Sequence, residues 1–149
     1  ETNDEWITTR TGIKERRILK PDEGRGASYL AIKAVEAMKE EYGVSVEDVD
    51  LVILASVTGD MPVAITSAYI AQEIGAKNAY AFDLQAACSS FLYAVSNAAA
   101  YIESGKYKKV LVVGSDVMSS IVDYTDRTTC ILFGDRRGHL IYYNFVLLH

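Results

Sequence analysis

The sequence predicts an α/β domain built on a parallel sheet, and three observations carry that prediction. Residues 49–55, 79–84 and 109–114 are short, mostly apolar runs, β-branched at 49–55 and 109–114. The run at 49–55 is apolar on both faces, as a strand central to a parallel sheet is, and the other two read as buried strands. Between and before them lie stretches with helical spacing, 27–41, 66–74 and 88–103. Strand and helix therefore alternate, which is the pattern of βαβ units. Finally, glycine or proline punctuates the junctions, at Gly43, Gly59, Pro62, Gly75 and Gly105. A chain of 149 residues makes one ordinary domain with a sizeable core.

Charge and composition remove several classes of function. A net charge of −5 argues against a duplex nucleic-acid binder, which needs a basic face to neutralise phosphates. No apolar run approaches the roughly 18 residues of a membrane span. No basic-then-apolar leader opens the chain, so the reading is cytoplasmic. Two cysteines, Cys88 and Cys130, form no disulfide framework and lack the paired spacing of a zinc site, so no metal is expected. No phosphate-cradling or dinucleotide glycine motif is present.

Taken in order, residues 1–26 are mixed in sign and read as a solvated loop, with Trp6, the only tryptophan, open to a role as a core anchor. Residues 27–41 form the cleanest helix. Ala27, Leu30, Ala31, Ala34, Val35 and Met38 make one apolar stripe, with Lys33, Glu36, Lys39 and Glu40 off it and Gly43 as the stop. Residues 45–48 read as a capped turn leading into a central strand at 49–55. Gly59-Asp60-Met61-Pro62 breaks the pattern before a helix from Thr66 to Ile74, closed by Gly75. Residues 79–84 read as a buried strand, and 109–114 as another. Residues 119–129 are polar loop, and 130–133 read as a short strand with Cys130 structural.

Chemistry concentrates between the second strand and the helix after it. After a tight Gln85-Ala86-Ala87 connection, Cys88, Phe91, Leu92, Val95, Ala99 and Ile102 fall at helical spacing, while Ala94, Ala98 and Ala100 fill other faces. A helix apolar nearly all round is expected to be enclosed by protein. Cys88 falls at its first or second residue. Unpaired N–H groups at a helix start favour a thiolate, the nucleophilic form of cysteine, and offer donors for a developing oxyanion. The plain alternative for Cys88 is a small buried hydrophobe.

The residues around Cys88 point further. Ala86-Ala87-Cys88-Ser89-Ser90-Phe91, after an Asp83-bearing strand, resembles the nucleophile motif of the β-ketoacyl-acyl-carrier-protein synthase III family, condensing enzymes of the thiolase-like superfamily. Asp4-Glu5-Trp6-Ile7 with Thr9-Arg10-Thr11-Gly12-Ile13 resembles the family's N-terminal signature. Val112-Val113-Gly114-Ser115-Asp116 and Tyr124-Thr125-Asp126-Arg127 match later landmarks in the same order. The resemblance covers residue 1 to about 135.

The resemblance implies the N-terminal half of a thiolase-like fold over residues 1–135. Its sheet would be mixed but mainly parallel, with helices on both faces and a buried helix bearing the nucleophile. It implies that Cys88 takes the acyl group of a short acyl-coenzyme A, and that Thr2, Trp6, Arg10 and Arg127 bind coenzyme A, with Arg127 partnering Trp6 around the adenine. Coenzyme A thioester is then substrate, with no resident cofactor. Malonyl-acyl-carrier protein is the second substrate, and the assembly is a homodimer. Two rivals stand beside this reading: another thiolase-like acyl-coenzyme A condensing enzyme, and an inert folded fragment.

The chain departs from the family in places. Pro62-Val63-Ala64 lacks the usual aromatic-proline pair near the acyl pocket, and Thr128 stands where glycine is common. After Asp135 the family continues with glycine and alanine, whereas this chain reads Arg136-Arg137-Gly138-His139. Residues 136–149 are thus a divergent tail, with an edge strand expected at 140–148. The family's histidine and asparagine from its second half have no counterpart, and His139 matches no motif. The expectation is a truncated product with an out-of-frame tail, or else a deliberate or degraded fragment. Exposed apolar surface follows from either.

Overall fold

In a computed structural model, residues 2–19, 26–135 and the backbone of 142–143 are described. The elements are α1 (Asp4–Thr11), α2 (Ala27–Tyr42), β1 (Leu51–Ala55), α3 (Thr66–Ile74), β2 (Tyr80–Leu84), α4 (Ser90–Glu103), β3 (Val110–Gly114) and β4 (Tyr142–Tyr143). The sheet order is β2-β1-β3-β4. β1 pairs in parallel with β2 and with β3, and β4 is antiparallel to β3. The sheet is therefore mixed and mainly parallel, as expected.

Alternate residues of β1 feed two cores. Val52 and Leu54 join Leu111 and Val113 of β3 under α2 and α3, with Ala31, Val35, Met38, Ile70 and Ile74. Leu51, Ile53 and Ala55 join Val110 and Val112 under α4, with Ala94 and Ala98. The chain leaves β1 through α3 toward one edge and returns through α4 to the other side. Crossovers of one hand running in opposite directions lay their helices on opposite faces. The apolar stripe of α2 is buried as its spacing requires, and Gly43 and Gly75 end α2 and α3 in the left-handed region with φ of 64° and 90°.

Four expectations need correction. Residues 4–11 are helix rather than loop: Asn3 Oδ1 accepts from Trp6 N at 2.8 Å, and Gly12 closes the far end at φ 72°. β2 is an edge strand among the described residues, exposed or half-buried along its length, because β1 occupies only one of its sides. α4 is not enclosed. Only Ser90, Ala94 and Ala98 are buried, while Leu92 is 70% and Tyr93 56% exposed. A helix laid on one face of a sheet is covered on one side only, and no second layer stands over α4 among the described residues. Residues 130–133 are turn and coil, not strand. Cys130 N donates to Asp126 O at 3.0 Å and Leu132 N to Thr129 O at 3.0 Å, so the backbone bonds close locally instead of joining a ladder.

Within the expected edge strand at 140–148, Tyr142 pairs with Val112 and Tyr143 with Leu111. The remainder of that strand and the Arg136–His139 departure lie outside the described residues. No helix among the described residues is long and apolar enough to cross a membrane.

The two-core arrangement sets a contrast in stability. Leu54→Ala removes a fully buried side chain and should lower unfolding free energy by about 2–5 kcal/mol, whereas Leu92→Ala should stay within about 0.5 kcal/mol. Urea denaturation followed by circular dichroism measures both.

Candidate active site

Parallel pairing brings the C-terminal ends of three strands level, Ala55 beside Leu84 and Gly114. In open α/β sheets, sites form beyond these ends. Carboxylates organise the polar turns after β1 and β3, and one carried by β2 caps a helix beside them. Asp83, the acid of β2, accepts from Thr66 N at 2.8 Å and Ser67 N at 2.9 Å, which caps α3. Asp116, after β3, uses one oxygen to accept from Ser56 Oγ, Val57 N and Thr58 Oγ1 at 3.0, 2.8 and 3.1 Å. Asp60 accepts from Ser28 N at 3.1 Å, and a Cβ at Gly26 would collide with its carboxylate.

Cys88 stands at this end of the sheet. The chain leaves β2, turns at Ala86 and makes a 3-10 turn over Ala87–Ser89 before α4 begins at Ser90. Cys88 is the middle residue of that turn, just ahead of the helix rather than inside it, and it is exposed. It is not the small buried hydrophobe of the alternative reading. Ala87 sits at φ 47°, a left-handed conformation that costs a non-glycine residue about 1–2 kcal/mol. Ser90 holds that strain in place: its Oγ accepts from Ala86 N at 2.7 Å and donates to Ala87 O at 2.8 Å. The sulfur is thus presented on a turn clamped from the first residue of the helix. Gly114 lets this helix approach, since a Cβ there would meet the Phe91 ring at 3.1 Å.

A second cluster forms around Trp6. One helical turn on from it, the Arg10 Cζ lies 4.4 Å from the indole centroid. Arg127, from the loop after β3, brings its Cζ to 5.2 Å from the same ring. Two guanidiniums on one indole make a cationic aromatic platform suited to a flat base and to phosphate. The Arg127 turn is set by Asp126, whose carboxylate accepts from Thr128 N at 2.9 Å, Thr128 Oγ1 at 2.7 Å and Thr129 Oγ1 at 3.0 Å. The hydroxyl of Thr128 does most to hold the Asp126 carboxyl below its usual range. Thr2 is exposed ahead of α1, with no hydrogen bond to this cluster among the described residues. Of the expected site residues, then, Trp6, Arg10 and Arg127 come together, while Cys88 and Thr2 stand on separate elements.

Residues 82–138 match the family model for 3-Oxoacyl-[acyl-carrier-protein (ACP)] synthase III. The chain is 52% identical over 141 residues to β-ketoacyl-[acyl-carrier-protein] synthase III of Chlorobium chlorochromatii, covering 95% of this chain and 43% of that protein. It is 53% identical over 135 residues to synthase III 2 of Bacteroides thetaiotaomicron, covering 91% and 40%. The crystal structure of 3-oxoacyl-[acyl-carrier-protein] synthase III from Aquifex aeolicus superposes with a TM-score of 0.83 at 48% identity, over 90% of this chain and 42% of that one. The chain belongs to the 3-oxoacyl-[acyl-carrier-protein] synthase III family. It spans about two fifths of the length of these relatives. The priming β-ketosynthase of the R1128 polyketide pathway, at 42% identity, superposes equally well with a TM-score of 0.83.

The sequence reading placed Asp83 and Asp116 in motifs but missed their supporting roles. Their signal was available: Asp83 is the one acid in an apolar strand, and Asp116 follows another directly. Ser90→Ala should cost about 1–3 kcal/mol by leaving the Ala86 N–H without its partner, read as a lower thermal midpoint. Asp126 has a depressed folded-state value, so its contribution is present above the unfolded value near pH 3.9 and fades as pH falls through the folded one. Asp126→Asn should flatten the thermal midpoint's dependence on pH in that acid window.

Proposed function

We propose that this chain carries the acyl-accepting and coenzyme A-binding part of a 3-oxoacyl-acyl-carrier-protein synthase III. The observation that carries the reading is Cys88, exposed on a strained turn that Ser90 clamps at the C-terminal end of a parallel sheet. The Cys88 thiolate attacks the thioester carbonyl of a short acyl-coenzyme A. The carbonyl oxygen takes up negative charge, the carbon–sulfur bond to coenzyme A breaks, and coenzyme A leaves as its thiol after gaining a proton. The acyl group stays on Cys88.

Trp6, Arg10 and Arg127 hold the other end of the substrate. The indole stacks on the adenine, and the guanidiniums supply charge for phosphate. Thr2, at the mouth of α1, completes the binding set. In the family's second step malonyl-acyl-carrier protein loses carbon dioxide. The resulting carbanion attacks the acyl-cysteine, freeing the thiolate and a 3-oxoacyl-acyl-carrier protein. That step draws on a histidine and an asparagine with no counterpart in the matched stretch, so acylation is the step these residues perform. The same reading gives a cytoplasmic homodimer. The edge of β2 that is unpaired among the described residues, with Tyr80 69% exposed and Ile65 and Tyr69 exposed at α3, favours pairing between copies.

Incubation with acetyl-coenzyme A followed by intact-protein mass spectrometry tests this. One acetyl group should be added to the chain and none to Cys88→Ser. Trp6→Ala should raise the acetyl-coenzyme A needed for half-maximal acylation about tenfold, the worth of one stacked base. A folded protein with no adduct would leave the inert fragment as the answer.

A further inference from the structure

The Trp6 platform is assembled from two distant parts of the chain, so something must fix the gap between them. Residues 13–19, which follow α1, have no regular secondary structure. They are fastened to the loop that bears Arg127. Arg16 Nε donates to Ile131 O at 2.8 Å. Asp135 N donates to Arg17 O at 2.7 Å, and the Asp135 carboxylate accepts from Leu19 N and from Ser119 N and Oγ. Gly134 is pressed against the same segment: a Cβ there would lie 3.0 Å from Arg17 O and 3.1 Å from Arg16 Cβ.

Arg16 is the side chain in this clasp that reaches the run of turns containing Arg127. That run is stiff, because Thr129 N and Cys130 N both donate to Asp126 O and Leu132 N to Thr129 O. Holding Ile131 therefore holds Arg127. The Arg16 Nη2 is buried without a hydrogen-bond partner among the described residues. A buried donor left unmatched is unfavourable.

We infer that Arg16 is a positioning residue for the Trp6 platform, its Nε bond to Ile131 O setting how closely Arg127 approaches the indole. The consequence for substrate rests on the coenzyme A reading above, but the geometry can be tested without ligand. Trp6 is the only tryptophan, so its quenching by acrylamide reports the ring's cover directly. Arg16→Met removes the donor and ends its side chain at the position of Nε. Arg16→Gln places an N–H at the same distance along the side chain as Nε and carries no charge. Arg127→Met removes the upper cation itself.

Acrylamide quenching of Trp6 should rise in R16M and in R127M, and the R16M/R127M double variant should match R127M alone. R16Q should return to the wild-type value, which a role in charge or bulk would not allow. Coenzyme A should bind roughly two- to fivefold more weakly to R16M, the worth of one cation–aromatic contact. Gly134→Ala pushes on the same clasp by another route and should raise the quenching too, so it stands in should R16M lose its folded circular-dichroism signal. Wild-type quenching in both R16M and G134A, R16Q behaving as R16M, or effects of R16M and R127M that add, would each overturn the inference. Failure of the coenzyme A reading shows separately, as wild-type Trp6 emission that ignores coenzyme A.

Discussion

The structure depends on β1 being hydrogen-bonded in parallel on both sides while buried along its whole length. Parallel neighbours cannot be joined by a tight turn, so the chain must cross the sheet each time through a helix. That requirement places α3 on one face and α4 on the other, and it divides the core in two along alternate residues of β1. It also brings Ala55, Leu84 and Gly114 to one level. Every segment that leaves those ends must then find partners for its backbone in the same small region.

Carboxylates meet that need. Asp83 supplies two acceptors to the start of α3, Asp116 ties the turn after β1 to the turn after β3, and Asp135 joins Ser119 to Leu19. Hydrogen bonds from N–H groups to a charged acceptor are the stronger kind, and they are directional. The sheet end is therefore stiff. The strained Ala87 turn survives because Ser90 bonds both Ala86 N and Ala87 O, and Cys88 rides on the result. The Trp6 platform uses the same economy. α1 has no buried residue of its own, so its place comes from the clasp between residues 16–19 and 131–135.

Much of this was legible from residue order. The strands at 49–55 and 109–114 and the helices at 27–41 and 66–74 were readable because apolar period and glycine stops are local signals. α1 was missed for the same reason. With no buried residue it has no apolar period to read, although Asn3, the acidic first turn at Asp4 and Glu5, Arg10 in the last turn and Gly12 marked its ends. Cys130 was misplaced because an apolar alternation over four residues says nothing about Asp126, which captures the backbone first.

Residue order alone determined the α/β class, the helix stops, and the placing of Cys88 where a strand turns into a helix, because each follows from a few neighbouring residues. Only the tertiary structure decided that β2 is an edge among the described residues, that α4 is covered on one side, and that Arg16 ties the segment after α1 to the loop bearing Arg127. Those outcomes depend on which surfaces meet across long stretches of chain, and no local pattern encodes a meeting.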